Sequence, residues 1–378
     1  MAGYRDGSTR AMESTKHVRL LERVVVAVAG IGLAALLTGY ATAPAMRRLR
    51  EHAPGDRRAA RFIQVYMRPD GRVVRLDQGR DTVSEGQAYG LLLAEATGDR
   101  AAFYRIWTWT REHLQLGDGL FAFETNAAGQ VVSTEPASDA DLLIAWALLR
   151  YQGPSAAQWH REGRRVADAI LRREVTAGRD PAVLTAGPWA AGWPATLNPS
   201  YWSLPAMRCL ATLTGERQWD RLAAQAISLT RQITRDGRLL PPDWARMRAD
   251  GAVTPERAPN GSARQTQYGP DAQRTVVWFA TSPDPQARAL AARWWQILRR
   301  GPLTATALAL SLNGRVLSAK PSPLAMVASA AAAQAAGDGS QASWLLRQAA
   351  QQQRRWPTYY GGAWAALGPV LLRSGAGC

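Results

Sequence analysis

The sequence predicts an all-α fold of about twelve helices with a few short strands. From about Arg58 to the end of the chain, apolar residues recur every three or four positions in successive segments. Short irregular connections separate these segments, and strands do not alternate with helices as a parallel sheet requires. So many successive helices favour an α/α barrel or toroid, and an irregular helical bundle is the alternative with the same periodicity.

The helical pattern covers most of this region. Asp99 is predicted to cap the second helix, and Ser138 or Asp139 the third, because these side chains can accept hydrogen bonds from first-turn N–H groups. The predicted helices are residues 84–96, 99–114, 139–151, 156–174, 201–213, 217–234, 271–280, 285–299, 323–336, 340–355 and 358–372. The predicted strands are residues 72–76, 120–123 and 130–133, the last two forming a hairpin.

The charge is strongly basic but does not indicate a nucleic-acid partner. The formal net charge is +16, yet the Arg residues are spread along the chain and the only lysines are Lys16 and Lys320. A nucleic-acid interface would concentrate basic residues on one face or stripe. The aromatic residues are more informative, since 15 Trp and 10 Tyr stand against 5 Phe. Trp and Tyr combine a flat apolar face with a polar edge, which suits sugar rings.

Cysteine and histidine usage predicts neither a disulfide framework nor a metal site. The two cysteines are Cys209, within an apolar stretch, and Cys378 at the end of the sequence, and we expect Cys209 to be an inert core thiol. The four histidines are scattered, with no Cys or carboxylate at metal-ligand spacing. We therefore expect no metal and no cofactor.

The N-terminal region has the pattern of an export signal. Arg19 and Arg23 precede an uncharged stretch, residues 24–46, and Ala-Thr-Ala at 41–43 resembles a cleavage site. The alternative is an uncleaved anchor in the inner membrane, because about twenty weakly apolar residues can span a bilayer. We predict a signal peptide or membrane anchor at 1–45 and a single domain at 46–378. The expected location is periplasmic or secreted, with membrane contact only through the N-terminal segment.

The segment SEGQAYGLLLAEA, residues 84–96, places Glu85 in the first turn of a helix. A Glu in that position is ordinarily a partner of the helix dipole. Gly86 and Gly90, however, weaken the helix by about 1 kcal/mol each relative to Ala. This cost indicates that another group approaches the backbone closely. Tyr89 adds a polar group that can bind a sugar or the Glu85 carboxyl.

Two further segments carry acidic residues at helix starts. ASDADLLIAWALL, residues 137–149, contains Asp139 and Asp141, and in isolation such a pair is a cap and a dipole partner. In QYGPDAQRTVVWFA, residues 267–280, Asp271 precedes Arg274 by three positions, which usually makes a local ion pair. The same spacing also suits a catalytic base held beside a cation.

Together these three segments resemble the signatures of glycoside hydrolase family 8, in particular its members encoded in bacterial cellulose-synthesis operons. The resemblance covers about residues 58–372 in family order, and SEGQ-x-YG followed by ASD-x-D is its specific part. The other matching segments are Phe62, PDGRVV at 69–74, FYRIWTWTREHL at 103–114, NPSYW at 198–202, PPDWA at 241–245, DAQR at 271–274 and YYGGAWAALG at 359–368.

The resemblance implies an (α/α)6 barrel with a long cleft that hydrolyses β-1,4-glucan with inversion. By the same resemblance Glu85 is the general acid, Asp271 is the general base and Asp139 binds the distorted sugar. Tyr201 and Arg274 match positions that line the same subsite. Such chemistry requires two carboxyls, one to protonate the leaving oxygen and one near the anomeric carbon. The acid must hold its proton near neutral pH, and a negative charge on Asp139 would favour this.

The chain departs from the family pattern at two positions. Pro270 stands where the family usually has Tyr, immediately before the base, and Tyr268 lies two positions earlier. We therefore expect the geometry just before Asp271 to be altered, unless a gap brings Tyr268 back into place. Leu91 replaces a usual Met, which is a mild change in a core.

Aromatic residues near these segments are candidates for stacking against sugar rings. Tyr89, Trp109 and Trp202 are predicted to contact substrate, within a wider set of stacking candidates that adds Trp107, Trp193 and Tyr359. The predicted function is an endo-β-1,4-glucanase that acts on β-1,4-glucan, associated with cellulose synthesis and with a cellulose synthase complex as a possible partner. The alternatives are a related hydrolase of chitosan, xylan or mixed-linkage glucan, and a non-catalytic glucan-binding factor.

Overall fold

The computed structural model of the protein describes residues 54–176, 178, 182–261, 263–374 and 378. The predicted signal peptide or anchor, residues 1–45, and the rival anchor segment, residues 24–46, lie outside the described residues. Gly55–Cys378 forms one compact unit. In the described part of the chain, no helix combines the length and apolar character that a membrane span requires.

Twelve α-helices are present within the described residues. They pair along the chain, each even-numbered helix with a neighbour in sequence. Their bounds are α1 Pro54–Tyr66, α2 Ser84–Thr97, α3 Arg100–His113, α4 Ser138–Arg150, α5 Ala156–Arg173, α6 Leu204–Thr214, α7 Gln218–Ile233, α8 Pro270–Ala280, α9 Pro285–Leu298, α10 Pro323–Ala335, α11 Gly339–Arg355 and α12 Tyr359–Ser374.

The even-numbered helices form a closed inner ring. Helix α2 packs against α4, α4 against α6, α6 against α8, α8 against α10, α10 against α12, and α12 returns to α2. The odd-numbered helices lie outside this ring. The architecture is an (α/α)6 barrel, so the predicted fold class is confirmed and the irregular bundle is excluded.

Burial explains which helices are inside. Every residue of α4 except Arg150 is buried, and α10 is buried from Pro323 to Ala333, because an inner helix has neighbours on all sides. The outer helix α5 instead buries one face, which includes Trp159 and Ile170.

The predicted helices agree with the observed ones to within a few residues, with three differences. The hydrophobic periodicity did not predict the bounds of helix α1. A short 3-10 turn, Pro199–Tyr201, precedes α6, which begins only at Leu204. Asp99 caps α3 as predicted, accepting from the Ala102 N–H at 2.9 Å. The predicted caps of α4 are wrong, because Ala137 is the N-cap residue and Ser138 already lies within the helix.

The strands are short and lie in the connections between helices. The described residues contain three small antiparallel sheets, ordered β1-β2-β3, β4-β5-β6 and β7-β8. The strands are β1 Thr82–Val83, β2 Glu124–Thr125, β3 Val131–Ser133, β4 Ala195–Leu197, β5 Trp244–Met247, β6 Val253–Glu256, β7 Ala307–Leu310 and β8 Val316–Pro321. The predicted hairpin exists, but its first strand is β2 rather than residues 120–123. The predicted strand at 72–76 is only an isolated bridge between Met67 and Val73.

These strands fix the residues that lead into the inner helices. Strand β1 ends at Val83, immediately before α2, and β4 ends at Leu197, directly before Asn198. In β5 the first residue is Trp244, so Asp243 is held at the edge of that sheet. The ends of these strands carry side chains that form the site described below.

The two cysteines form a disulfide, which corrects the expectation of a free core thiol. Cys209 is fully buried on α6, and its Cα lies 5.3 Å from that of Cys378. The two residues are 169 positions apart, so their proximity depends on barrel closure. Spacing in the sequence does not reveal such a pair.

The substitution Cys378→Ser should lower the free energy of unfolding by about 2–4 kcal/mol, because the disulfide restricts the unfolded chain. This variant is preferred to a change at buried Cys209, which would also alter the core. Urea denaturation should show that a reductant destabilises the wild type and leaves Cys378→Ser unaffected. Equal stability of the oxidised wild type and the variant would contradict the prediction.

Candidate active site

The predicted catalytic carboxyls lie in the first turns of three inner helices. Glu85 is in the first turn of α2, Asp139 in that of α4 and Asp271 in that of α8. Their side chains meet, so the N-termini of these helices converge at one end of the ring. The partial positive charge of a helix N-terminus stabilises an anion near it.

The guanidinium of Arg274 joins the three carboxyls. Its Nη1 donates to Glu85 Oε1 and, at 2.8 Å, to Asp139 Oδ2. Its Nη2 donates to Asp271 Oδ1 at 3.0 Å and to Ser200 Oγ at 2.8 Å. The Arg274 side chain is only 3% exposed. One buried cation therefore fixes the relative positions of three acidic side chains.

Further contacts orient the two predicted catalytic residues. The Tyr89 hydroxyl donates to Glu85 Oε1 at 2.7 Å. Asn198 Nδ2 donates to Asp271 Oδ2 at 3.1 Å. The Asp271 side chain is 31% exposed and that of Glu85 is 17% exposed. Both carboxyls are thus held by donors and still reach solvent.

These groups line a cavity of about 310 Å³. Of the predicted site residues, the cavity brings together Glu85, Asp139, Tyr201, Asp271 and Arg274. The Arg274 guanidinium carbon lies 5.4 Å from the centre of the Tyr201 ring, as in a cation–π contact. Among the described residues, no group of three or more His, Cys, Asp or Glu side chains could hold a metal ion.

The electrostatics of the cluster favour retention of a proton. Burial is the largest cause that raises the pKa of Asp139 to about 7; the cation of Arg274 opposes this, and the negative charge of Glu85 adds to it. Three carboxyls share a single guanidinium, so the cluster keeps a net negative charge when all three are ionised. A proton near neutral pH relieves this repulsion.

Several side chains predicted to contact sugar are buried away from the cavity. Trp109 is 5% exposed and stacks on His113, while Trp202 is 1% exposed and donates to the Leu184 carbonyl at 2.9 Å. Trp107 is likewise buried in the core. Tyr89 is fully buried, and its hydroxyl binds Glu85. None of these four rings lines the cavity.

The remaining two stacking candidates differ from each other. Trp193 is 38% exposed in the connection before β4, so its ring remains a candidate platform. Tyr359 is 1% exposed, and its ring packs edge-on against Tyr66. Tyr359 nevertheless lines the cavity.

The glycines of α2 confirm the predicted close approach. A Cβ on Gly86 would overlap the hydroxyl of Tyr359, and a Cβ on Gly90 would lie 2.8 Å from the Val73 side chain. The first approach belongs to the site, because Tyr359 and Glu85 line the same cavity. The second belongs to the core.

The departures from the family pattern are local. Pro270 is the first residue of α8 and lines the cavity, a position at which proline suits a helix. Tyr268 is 1% exposed and pairs with Leu310 through backbone hydrogen bonds of 2.8 and 2.9 Å. Tyr268 therefore does not take the place of the missing tyrosine. Leu91 is fully buried in the core.

Some residues of the site carried no signal that sequence reasoning recognised. Asn198 and Ser200 lie in the segment NPSYW, of which Tyr201 and Trp202 are the predicted site residues. Arg75 and Tyr360 also line the cavity, the latter beside Tyr359 on α12. The sequence signal that could have identified these residues is a polar side chain within or next to a recognised motif.

A buried carboxyl pair lies beneath the site. Asp141 and Glu174 are both fully buried, and each carboxyl lies close enough to influence the pKa of the other. Asp141 Oδ1 also accepts from the Phe121 N–H at 2.9 Å. The carbonyl of Phe123, two residues after Phe121, accepts from the N–H of Ser84, the first residue of α2. Asp141 thus connects the start of α4 to the start of the helix that carries Glu85.

We expect this pair to share a proton near neutral pH. Burial is the main cause that raises the pKa of Asp141 well above its usual range, and burial followed by the charge of Asp141 does the same for Glu174. Two carboxylates in contact away from water cannot both ionise cheaply. Within the described residues, no N–H or hydroxyl donor reaches Asp141 Oδ2 or either Glu174 oxygen.

The substitution Asp141→Asn should make stability less dependent on pH. A carboxyl with a raised folded pKa contributes stability that is complete below its unfolded pKa and is lost as pH rises toward the folded value. The wild type should therefore lose up to about 1.4 kcal/mol per pH unit more than the variant above about pH 4. The Asn side chain can still accept from Phe121 and can donate to Glu174.

The measurement is the free energy of unfolding in urea at pH 5 and at pH 8. The matched control is Asp250→Asn, an exposed carboxylate in the turn between β5 and β6. Asp250→Asn should keep the pH dependence of the wild type. Parallel pH profiles for the wild type and Asp141→Asn would rule out the shared proton.

Comparisons with known proteins agree with this geometry. Residues 54–361 match the family described as glycosyl hydrolases family 8. The chain is 35% identical over 207 residues to an endoglucanase of Cellulomonas uda, covering 52% of this chain and 56% of the relative. It is 32% identical over 230 residues to a probable endoglucanase of Novacetimonas hansenii, covering 58% and 64%. These matches span less than two thirds of either relative.

A solved structure supports the same relationship over a longer range. The crystal structure of an endoglucanase from Klebsiella pneumoniae, described as a family 8 glycosyl hydrolase, superposes with a TM-score of 0.68. The sequence identity is 28%, and the superposition covers 84% of this chain and 98% of the Klebsiella chain. Since the family match extends over most of the sequence, and the barrel carries the carboxyl cluster at one end, this chain belongs to glycosyl hydrolases family 8.

Proposed function

We propose that the chain is an endo-β-1,4-glucanase that hydrolyses cellulose-type glucan with inversion. The observation that carries this proposal is the placement of Glu85 and Asp271, which come from different helices, on the two terminal nitrogens of Arg274 at one cavity. Glycoside hydrolysis requires such a pair, one carboxyl as acid and the other as base. The endoglucanase names of the relatives support the substrate class.

The contacts favour Glu85 as the acid and Asp271 as the base. Asp271 is the more exposed of the two and is held by Asn198 and Arg274, which leaves an open side for the attacking water. An inverting enzyme needs that space, because water lies between the base and the sugar. Glu85 lies closer to Asp139, since both bind Arg274 Nη1.

Asp139 is proposed to serve the sugar beside the scissile bond. Its side chain is 6% exposed and lines the cavity between the two predicted catalytic residues. Burial raises its pKa to about 7, so this carboxyl is partly protonated near neutral pH.

The substitutions Glu85→Gln and Asp271→Asn should each reduce hydrolysis of carboxymethylcellulose by about 10²–10⁴-fold, because each removes one half of the acid–base pair. Reducing-end release measures the rate, and the melting temperature reports whether the variants fold. Asp250→Asn, at an exposed residue that does not line the cavity, should keep wild-type activity. Near-wild-type rates for Glu85→Gln would remove the basis of the proposal.

The substrate and stereochemistry can be resolved in the same experiment. Carboxymethylcellulose, chitosan, xylan and mixed-linkage glucan should be supplied in parallel, with the highest turnover expected on the β-1,4-glucan. Proton NMR of the first product should show the α-anomer. Preference for another polymer would favour the related-hydrolase alternative, and glucan binding without sugar release would favour the non-catalytic one.

We further propose that the protein acts outside the cytoplasm in association with cellulose synthesis. The signal-like pattern before residue 46 supports export, with an inner-membrane anchor as the alternative. The Cys209–Cys378 disulfide also supports an oxidising compartment. Cell fractionation tests the location, and recovery of the protein only in the cytoplasm would overturn it. Co-purification with a cellulose synthase complex tests the partner.

A further inference from the structure

Helix α8, which carries Asp271 and Arg274, begins at a residue that cannot cap it. The N-cap residue is Gly269, and the first helical residue is Pro270. Glycine has no side chain to accept the free N–H groups of the first turn, and these groups are costly to bury without a partner. Another part of the chain must therefore supply the acceptor.

Asp243 supplies it from 29 positions away in the sequence. Its Oδ1 accepts from the Gly269 N–H at 2.9 Å and from the Ala272 N–H at 2.8 Å. Its Oδ2 accepts from Gln267 Nε2 at 3.0 Å. Ala272 is the third helical residue, where an ordinary N-cap side chain would bind. Asp243 thus takes the role of the N-cap side chain of α8, although it is distant in sequence.

The glycine at 269 is required by this arrangement. A Cβ at that position would overlap the Asp243 carboxylate and would lie 2.6 Å from Gln267 Nε2. Gly269 therefore allows Asp243 to approach and cannot itself replace it. Pro270 has no N–H to donate. The two backbone donors that Asp243 binds, Gly269 and Ala272, therefore lie before and after the Pro270–Asp271 pair.

This external cap lies beside the Asp271 side chain. An Asp in the first turn of a helix tends to bind the free backbone N–H groups there. Asp243 already accepts from the Ala272 N–H, and the Asp271 carboxylate instead binds Asn198 and Arg274 at the cavity. Arg274 lies on the next turn of the same helix, so the cap holds both residues.

We propose that Asp243 is the positioning residue of the Asp271 base, acting as a distant N-cap that frees and aims the base carboxylate. This rests on the proposed function in assigning Asp271 as the base. Asp243 is 7% exposed and does not line the cavity, so it acts through Asp271 and not on the substrate.

An Asn can test this role without removing the cap. Burial is the main cause that raises the pKa of Asp243 to about 7, and the charge of Asp271 adds to it. The Asp243 carboxyl therefore does not need a full negative charge to accept the two backbone hydrogen bonds. The amide oxygen of Asp243→Asn can accept both, whereas Asp243→Ala removes the acceptor.

The next helix offers a matched control. Helix α9 also begins with a proline, Pro285, but its cap is local, since Asp284 accepts from the Gln286 N–H at 2.7 Å and the Ala287 N–H at 3.4 Å. Asp284→Ala therefore removes a comparable cap away from the site. It should lower the melting temperature by a few degrees and leave kcat at the wild-type level.

The experiment compares kcat and KM on cellohexaose for the wild type, Asp243→Ala, Asp243→Asn and Asp284→Ala. Asp243→Ala should lose about 10²-fold in kcat, because a misplaced catalytic group costs roughly that much, with little change in KM. Asp243→Asn should stay within about tenfold of the wild type. If Asp243→Ala keeps the kcat of Asp284→Ala, or if Asn fails to rescue, the positioning role is wrong.

Two further measurements keep the test decisive. If Asp243→Ala does not fold, Asp243→Glu moves the acceptor by one methylene, and wild-type kcat in that variant overturns the proposal. If the wild type itself hydrolyses no polysaccharide, the proposed function fails. Hydrogen exchange of residues 269–280 then tests the cap alone, with faster exchange expected in Asp243→Ala than in Asp243→Asn, and equal exchange overturning it.

Discussion

The buried guanidinium of Arg274 is the contact on which the site depends. It binds one carboxyl from each of α2, α4 and α8, which are not neighbours in sequence. Three acidic groups at the end of a helical ring would otherwise repel one another, and an uncompensated buried charge is strongly destabilising. The same cation therefore makes the cluster possible and determines its geometry.

The starts of α4 and α8 share a further property, which is that the residue at the N-cap position supplies no side-chain acceptor. In α4 the N-cap is Ala137, and the Ser138 hydroxyl donates to the Thr185 carbonyl at 2.5 Å. In α8 the cap comes from Asp243. Asp139 Oδ1 accepts from the Ala140 N–H at 2.9 Å, while its Oδ2 binds Arg274. Both oxygens of Asp271 bind at the cavity, one to Asn198 and one to Arg274.

Much of the fold was predictable because it follows from helical periodicity, which a buried ring of helices strengthens. Glu85, Asp139, Tyr201, Asp271 and Arg274 were selected through motif resemblance, and the barrel brings them together. Residues that act through tertiary contact were not predictable. Glu174, Asp243 and the partner of Cys209 each lie far in sequence from the group they meet. Composition also misled, because an abundance of Trp suggested sugar contacts and several of these rings fill the core.

Closure of the ring has a consequence for the order of assembly. The contact between α12 and α2 joins helices from opposite ends of the barrel sequence, and α12 begins with Tyr359 and Tyr360, both of which line the cavity. A partly folded chain in which α12 has not docked has all three carboxyls but no wall on that side. Long-range contacts of this kind form late and slowly. The cavity is thus complete only after the two ends of the barrel have met.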